Sequence, residues 1–335
     1  MSDDEPDHEL LDFLRQHFQK VAISPANPET QVLEGAEYVY DNAIDVAIDY
    51  QSTKAAAAMI YEQMQQKEYS TKTWSSHELH PKAKDESTVA FIFTMDLLNF
   101  SFWSEKDDEE RFTIEYKGQK RTGYWSLVAA LQRALEEDIP ITSSDFWQNE
   151  DECTEEVLKH VFRSSTEEEI PLLKERLSCL REAGKILYEK YQCNFTNVIK
   201  SASHSAAALV NILADDFPCF NDVVSFEKRK SVRLLKRAQI CVADLWAAFE
   251  GESFGEFDDI DKITMFADYR VPQILNTLGC LWYSPLLDHV VRQKKIIESG
   301  HSWEIQMRGR QDFVFVSLGK GLNWVTWLTN VMSRM

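Results

Sequence analysis

Ile263-Thr-Met-Phe-Ala-Asp-Tyr-Arg-Val-Pro-Gln-Ile-Leu-Asn-Thr-Leu-Gly279 is a segment in two halves. The first half sets Phe266, Asp268, Tyr269 and Arg270 together, an acid and a base among aromatic rings. The second half reads as a helix. Pro272 suits a first turn, where its missing N–H costs nothing. Ile274, Leu275, Leu278, Leu281 and Trp282 recur at helical spacing and give that helix an apolar face to bury. The polar cluster is then held at the mouth of a buried element, and an irregular segment on a rigid helix is a good platform for chemistry. A plainer assignment competes: Asp268 caps the turn and pairs with Arg270.

The rest of the chain supplies the core that such a helix needs. With 335 residues, 44% of them hydrophobic, it has material for one large domain or two medium ones. A formal charge of −19 argues against a long nucleic-acid backbone as partner, because that binding needs many Lys or Arg to neutralise phosphates. A small anion in a local cationic pocket remains compatible with it. Six scattered cysteines with no Cys-x-x-Cys pair, behind a polar N-terminus without a secretory signal, read as reduced thiols of a cytosolic protein. No stretch approaches the roughly 20 apolar residues of a membrane helix.

Leu11, Leu14, Phe18 and Val21, then Ile44, Ile48, Ala55, Met59 and Ile60, predict amphipathic helices broken at Pro25 and Pro28. His77-Glu-Leu-His80 places two histidines three apart, but it is not His-Glu-x-x-His and no further ligand completes a metal site, so His77 reads as structural or ligand-contacting. Val89 to Trp103 is the most apolar run and reads as core. Its strongly polar groups are Asp96 and Asn99, and a carboxylate there needs a partner. Phe112 to Tyr124 alternates around Lys117-Gly118 and predicts a β-hairpin, with a helix opening at Ser126 and stopping before Pro140. Glu167-Glu-Glu169 suits a solvated helix start. Glu227-Lys-Arg-Lys-Ser-Val-Arg-Leu-Leu-Lys-Arg237 is a dense basic cluster leading into a helix over 238–249. Beside a site it would receive a phosphate; on the outside it is a solvated face. The expected architecture is mainly α with a small β-hairpin, divided into 1–69, 70–310 and 311–335 within one compact domain.

Thr94 to Trp103, Gly123-Tyr-Trp-Ser-Leu127, Lys236-Arg-Ala-Gln-Ile240 and Thr264-Met-Phe-Ala-Asp-Tyr-Arg270 together resemble the queuosine salvage family, the queuosine 5′-phosphate N-glycosylases (hydrolases), and the resemblance runs from about Trp74 to about Gly309. It implies a helical globular fold like that of helix-hairpin-helix DNA glycosylases. It also implies cleavage of the N-glycosidic bond of queuosine 5′-phosphate in the cytoplasm, releasing ribose 5-phosphate and queuine for return to transfer RNA. No cofactor or metal is expected, nor a stable nucleic-acid or membrane partner. By position in the motifs, His77, Phe266 and Asp268 are similar to base-contacting groups, with Asp268 also stabilising the reaction centre and Phe102 and Trp103 forming a stacking wall. Lys236 and Arg237 are the inferred phosphate contacts, since charge-assisted hydrogen bonds suit a monoester.

The family's C-terminal motif of two acids interleaved with aromatics has no counterpart from Gln311 to Met335, where Asp312 stands too early and Trp324, Trp327 and Leu328 supply no acid. Weak or no hydrolysis, with queuine binding retained, is the expectation that follows. The alternative function is a non-catalytic binding protein for queuine or its nucleotide. A DNA glycosylase fits the fold analogy but not the acidic charge.

Overall fold

The computed structural model describes residues 28–66, 72–227 and 230–318. The expected helix through Leu11, Leu14, Phe18 and Val21, and the terminal residues Trp324, Trp327 and Leu328, lie outside them. From the N-terminal side run α1 (Val32–Asn42), β1 (Val46–Ile48), α2 (Tyr50–Gln66), α3 (Lys72–Ser76) and α4 (Glu86–Leu97). A hairpin follows, β2 (Ile114–Tyr116) and β3 (Gln119–Arg121), then α5 (Tyr124–Glu136), α6 (Ser144–Gln148), α7 (Glu155–Val161), α8 (Leu173–Tyr191), α9 (Phe195–Ser201) and α10 (Ala206–Asp216). A second hairpin, β4 (Val223–Phe226) with β5 (Lys230–Arg233), leads into α11 (Lys236–Ala248). The chain continues through α12 (Arg270–Thr277), β6 (Leu281–Tyr283), α13 (Pro285–Arg292) and α14 (Ser302–Leu318). The fold is mainly α, as expected.

Helix α4 is its axis. Asp85 starts it by accepting the Ser87 and Thr88 N–H groups, and from Thr88 to Leu97 all but Ala90 are buried. A helix without a polar face has to be enclosed on every side. Here α11, α5, α8 and α9 enclose it. Phe93 stacks on Phe195 at 3.9 Å and meets Phe217 and Phe220, which ties α9 and the start of the second hairpin to the same centre. A second contact layer joins α14 to α1, where Gly309 lies so close to Val39 that an added Cβ would come within 2.7 Å of it.

The three two-stranded sheets are antiparallel. The β2–β3 pair turns through Lys117 (φ 49°) and Gly118 (φ 73°), which is the hairpin expected from the alternation. The other two correct the helical readings. Ile48 lies in β1, pairing with Leu281 of β6, while Ile44 precedes the strand and is exposed. Leu281 and Trp282 therefore do not extend the Ile274–Leu278 face. Gly279, at φ 73°, turns the chain after α12, and Trp282 points outward at 63% exposure. The basic cluster likewise divides, with Lys230–Arg233 forming β5 before the helix begins at Lys236. Helix α5 opens two residues before Ser126, whose hydroxyl bonds back to Gly123 O at 2.6 Å. Glu168 starts no helix; it accepts from Ser104 Oγ at 2.8 Å and from the Phe112 N–H, tying two loops together.

Candidate active site

The segment before α12 is irregular, and it is held by three side chains from two helices. Gln239 Oε1, on α11, accepts from Thr264 N at 2.9 Å and Thr264 Oγ1 at 3.0 Å. From α14, Arg308 Nε donates to Ala267 O at 2.9 Å and Gln311 Nε2 to Asp268 O at 3.0 Å. Buried backbone carbonyls need such donors, and here side chains provide them in place of a strand partner. Arg308 also pairs with Asp222 and Glu304, so the clamp is itself anchored.

Asp268 does what the plain assignment expects in one respect and not in another. Its Oδ1 caps α12, accepting from Arg270 N at 2.8 Å and Val271 N at 3.0 Å. Its ion partner is Lys236, with Nζ 3.5 Å from Oδ2, rather than Arg270. The carboxylate is buried, and the lysine keeps about a fifth of its side chain exposed. Two motifs more than 30 residues apart thus meet as an acid and a base at the starts of two helices.

Lys236 and Arg237 are neighbours with different work. Arg237 turns inward, where Nη1 donates to Leu97 O at 2.8 Å, Nη2 donates to Cys219 O, and the guanidinium lies 4.8 Å from the Phe100 ring. Arg176, fully buried, holds the same loop by donating to the carbonyls of Leu98, Phe100 and Ser101. Burial pulls its guanidinium down to about 9. Phe102 packs against Arg176 at 5.3 Å, and Trp103 is 59% exposed with its ring edge-on to Tyr269 at 6.4 Å. The structure thereby brings Trp103 beside the Asp268 segment. Phe266 lies fully buried in the core.

Beneath Lys236 lie two acids. Asp96 of α4 and Asp244 of α11 are buried in the packed interface of those helices. Asp244 Oδ1 accepts from Trp74 Nε1 at 3.1 Å, and burial pushes its carboxyl up to about 7. Asp96 has a weak contact from Asn99 Nδ2 at 3.5 Å, while its Oδ2 is buried without a hydrogen-bond partner. Burial, then repulsion by Asp244, raises it well above the carboxylate range, against the pull of Asn99, Lys236 and Arg237. The partner expected for Asp96 is therefore largely a proton, the usual outcome for crowded buried acids.

Trp74 leads from Asp244 to the histidines. Its ring stacks on His80 at 3.9 Å. His80 Nδ1 contacts Trp74 O at 2.8 Å, and a carbonyl only accepts, so Nδ1 carries the proton. Nε2 is left to accept from the Tyr124 hydroxyl at 2.8 Å, and burial lowers the imidazole to about 3. His77 is half-buried and stacks on Trp125 at 3.6 Å. Among the described residues no hydrogen bond or ring contact joins His77 directly to Asp268; the contacts from His77 lead through His80 and Trp74 as far as Asp244.

Asp244, Gln239, Arg308 and Gln311 escaped the sequence reading. Gln239 and Asp244 had a signal: both interrupt the apolar run of a helix whose surrounding residues are buried. Arg308 and Gln311 had none, since their role is to meet a backbone 41 and 43 residues away. Among the described residues no group of three or more His, Cys, Asp or Glu is arranged to hold a metal ion, and no helix is long and apolar enough to cross a membrane.

These features define a mainly helical protein with an acid–lysine pair set between two helix starts. Residues 79–315 match the family described as queuosine salvage protein. The chain is 45% identical to the queuosine 5′-phosphate N-glycosylase/hydrolase of Schizosaccharomyces pombe, over 84% of this chain and 82% of that one. It is 43% identical to the protein of that name from Nematostella vectensis (82% and 78% covered) and 39% identical to that from Sphaerobacter thermophilus (83% and 81%). The chain belongs to the queuosine salvage protein family.

Proposed function

We propose that this protein hydrolyses the N-glycosidic bond of queuosine 5′-phosphate, releasing queuine and ribose 5-phosphate for queuine salvage and transfer-RNA modification. The observation that carries the reading is the Asp268–Lys236 pair at 3.5 Å, in a chain so similar to hydrolases named for that substrate. Cleavage develops an oxocarbenium-like cation, and a preorganised carboxylate lowers its energy. Asp268 is preorganised, with one oxygen fixed by two N–H donors and the other facing a lysine. Lys236 receives the 5′-phosphate and separates that dianion from the acid. The inward turn of Arg237 gives it the task of holding the Lys236 helix to the 97–100 loop and adding positive potential behind the phosphate.

The leaving base is a 7-deazapurine, without the ring nitrogen at which a purine is commonly protonated, so its remaining polar edges have to be stabilised. His77, Asp268 and the rings of Phe266, Phe102 and Trp103 supply hydrogen-bonding and stacking groups for that base. The helical core is of the type built in helix-hairpin-helix glycosylases. The free cysteines accord with a reducing cytoplasm and the charge of −19 with a small ligand rather than a polymer. Incubating the purified chain with queuosine 5′-phosphate and following queuine by mass spectrometry tests the reading. Release of queuine is expected. Tight binding without release would replace hydrolysis by a binding function.

A further inference from the structure

Helix α11 begins with Lys236, and the residue before it gives no side-chain cap. Leu235 sits at φ 47° with a buried apolar side chain. The N–H groups at that end are met instead by Asp222, 14 residues before Lys236. Its carbonyl accepts from Leu234 N at 2.9 Å and Leu235 N at 3.2 Å, and its Oδ2 accepts from Lys236 N at 3.4 Å. The same Oδ2 accepts from Arg308 Nη2. Arg308 Nε in turn donates to the carbonyl of Ala267, the neighbour of Asp268. One carboxylate oxygen therefore stands between the two helix starts that hold the acid and the base. The path from the Lys236 main chain through Asp222 and Arg308 to the Asp268 segment is closed into a ring by the 3.5 Å contact of Lys236 Nζ with Asp268 Oδ2.

We propose that Asp222 is a positioning residue of this site, whose carboxylate, shared between the start of α11 and Arg308, keeps Lys236 and Asp268 in register while substrate is bound. The proposal rests on the queuosine 5′-phosphate reading above and extends it to a residue outside the acid–lysine pair. The direct contact cannot do this alone. A phosphate dianion arriving at Lys236 competes with Asp268 for the ammonium, so the ion pair loosens when alignment matters most. Asp222 grips the main chain of Lys236 and leaves its ammonium free; Arg308 grips a main-chain carbonyl and leaves the Asp268 carboxylate free. A misplacement of about 1 Å at a reacting centre can cost roughly 100-fold in rate.

Arg308 is suited to a rigid link. Burial by itself lowers its pKa, but Asp222 and then Glu304 outweigh burial and raise it, so the cation persists. All three guanidinium nitrogens are engaged, Nε by Ala267 O, Nη1 by Glu304 and Nη2 by Asp222, which fixes the plane of the group.

Asp222→Ala in the full-length protein tests this. The carbonyl of residue 222 still meets Leu234 and Leu235, so the variant should fold, as circular dichroism checks. With queuosine 5′-phosphate, kcat is expected to fall about 10- to 100-fold and KM to change by no more than roughly threefold, because acid and lysine still meet their own parts of the substrate but no longer in register. In a D268N background the same change should cost less than about threefold, since a residue acting through Asp268 has nothing left to position. Amide exchange gives a readout independent of turnover. The N–H groups of Arg270 and Val271, bonded to Asp268 Oδ1, should exchange at least about tenfold faster in D222A while those of α4 keep their protection. Arg308→Lys keeps a cation beside Asp222 but removes the Nε donor; it is expected to reproduce both effects and decides the matter should D222A not fold. Wild-type kcat in the folded variant, an equal loss in the D268N background, or unchanged exchange at Arg270 and Val271 would overturn the proposal. Faster exchange at those amides in a protein that releases no queuine would leave Asp222 as a positioning residue and sink the hydrolase reading; queuine release with unchanged exchange would do the reverse.

Discussion

The segment around Asp268 and the interior between α4 and α11 both bury carboxylates, and they treat them in opposite ways. Asp268 receives two backbone N–H groups and a lysine. Asp96 and Asp244 receive one indole N–H and one weak amide contact between them, and both are raised toward the protonated form. The difference follows from backbone geometry. An irregular segment entering a helix offers N–H groups without intrahelical partners, whereas the middle of a helix has none to offer. A buried acid at a helix start can therefore serve as a stabilising charge, and one in a helix interior becomes a proton reservoir or a structural acceptor.

Replacing Asp268 with Asn attacks the contrast most directly. Asn still caps a helix, so the fold should persist, but the negative charge is gone. Turnover of queuosine 5′-phosphate is expected to fall about 100- to 1000-fold, or about 2.7–4 kcal/mol. Single-turnover assays beside circular dichroism check this; wild-type rates in a folded variant would reduce Asp268 to a cap. Lys236→Met keeps the stem and removes the charge. Loss of a charge-assisted contact of about 1.5–3 kcal/mol should cut kcat/KM for the nucleotide roughly 10- to 150-fold. The unphosphorylated nucleoside should be affected far less, and equal losses for both would remove the phosphate from Lys236.

Gly309→Ala asks how far the Asp268 segment depends on the α14 clamp. The new methyl would meet Val39 at 2.7 Å, forcing α14 away from α1. Overpacking of that kind costs about 1–3 kcal/mol, readable by urea denaturation. Activity should fall by more than the folded fraction does, since Arg308 and Gln311 flank the glycine; loss of stability alone would show the clamp to be dispensable. The smallest effect is expected from Asp244→Asn, a probe of the interior acids. The folded pKa near 7 lies above the unfolded 3.8. The contribution is thus fully present below about pH 3.8 and is lost as pH rises through about 7. The stability of wild type relative to D244N should decline by about 1–2 kcal/mol between pH 6 and pH 8. A pH-independent difference would mean that Asp244 does not titrate in that range.

The β2–β3 hairpin was legible because Lys117-Gly118 is a local turn signal flanked by period-two alternation. Leu281 and Trp282 misled because their spacing continues a helical face after Gly279 has ended the helix. Ile48 misled because a three-residue strand leaves too little sequence to reveal its period. Of the candidate site residues, Lys236 and Asp268 are in contact, while Arg237, chosen by charge alone, faces backbone carbonyls.

The sequence by itself determined the helical class, the largely buried course of the Val89–Trp103 run as far as Asn99, the family and the presence of an acid beside a helix start. These depend on local periodicity, capping chemistry or motif, which a linear chain displays. Only the tertiary structure decided that Lys236 rather than Arg270 is the partner of Asp268, that Asp96 and Asp244 share one interior, and that Gln239, Arg308 and Gln311 hold the segment between them. The physical reason is that an ion pair, a crowded carboxylate or a satisfied carbonyl is fixed by distance in space. Residues far apart in the chain acquire that distance only when the helices carrying them pack.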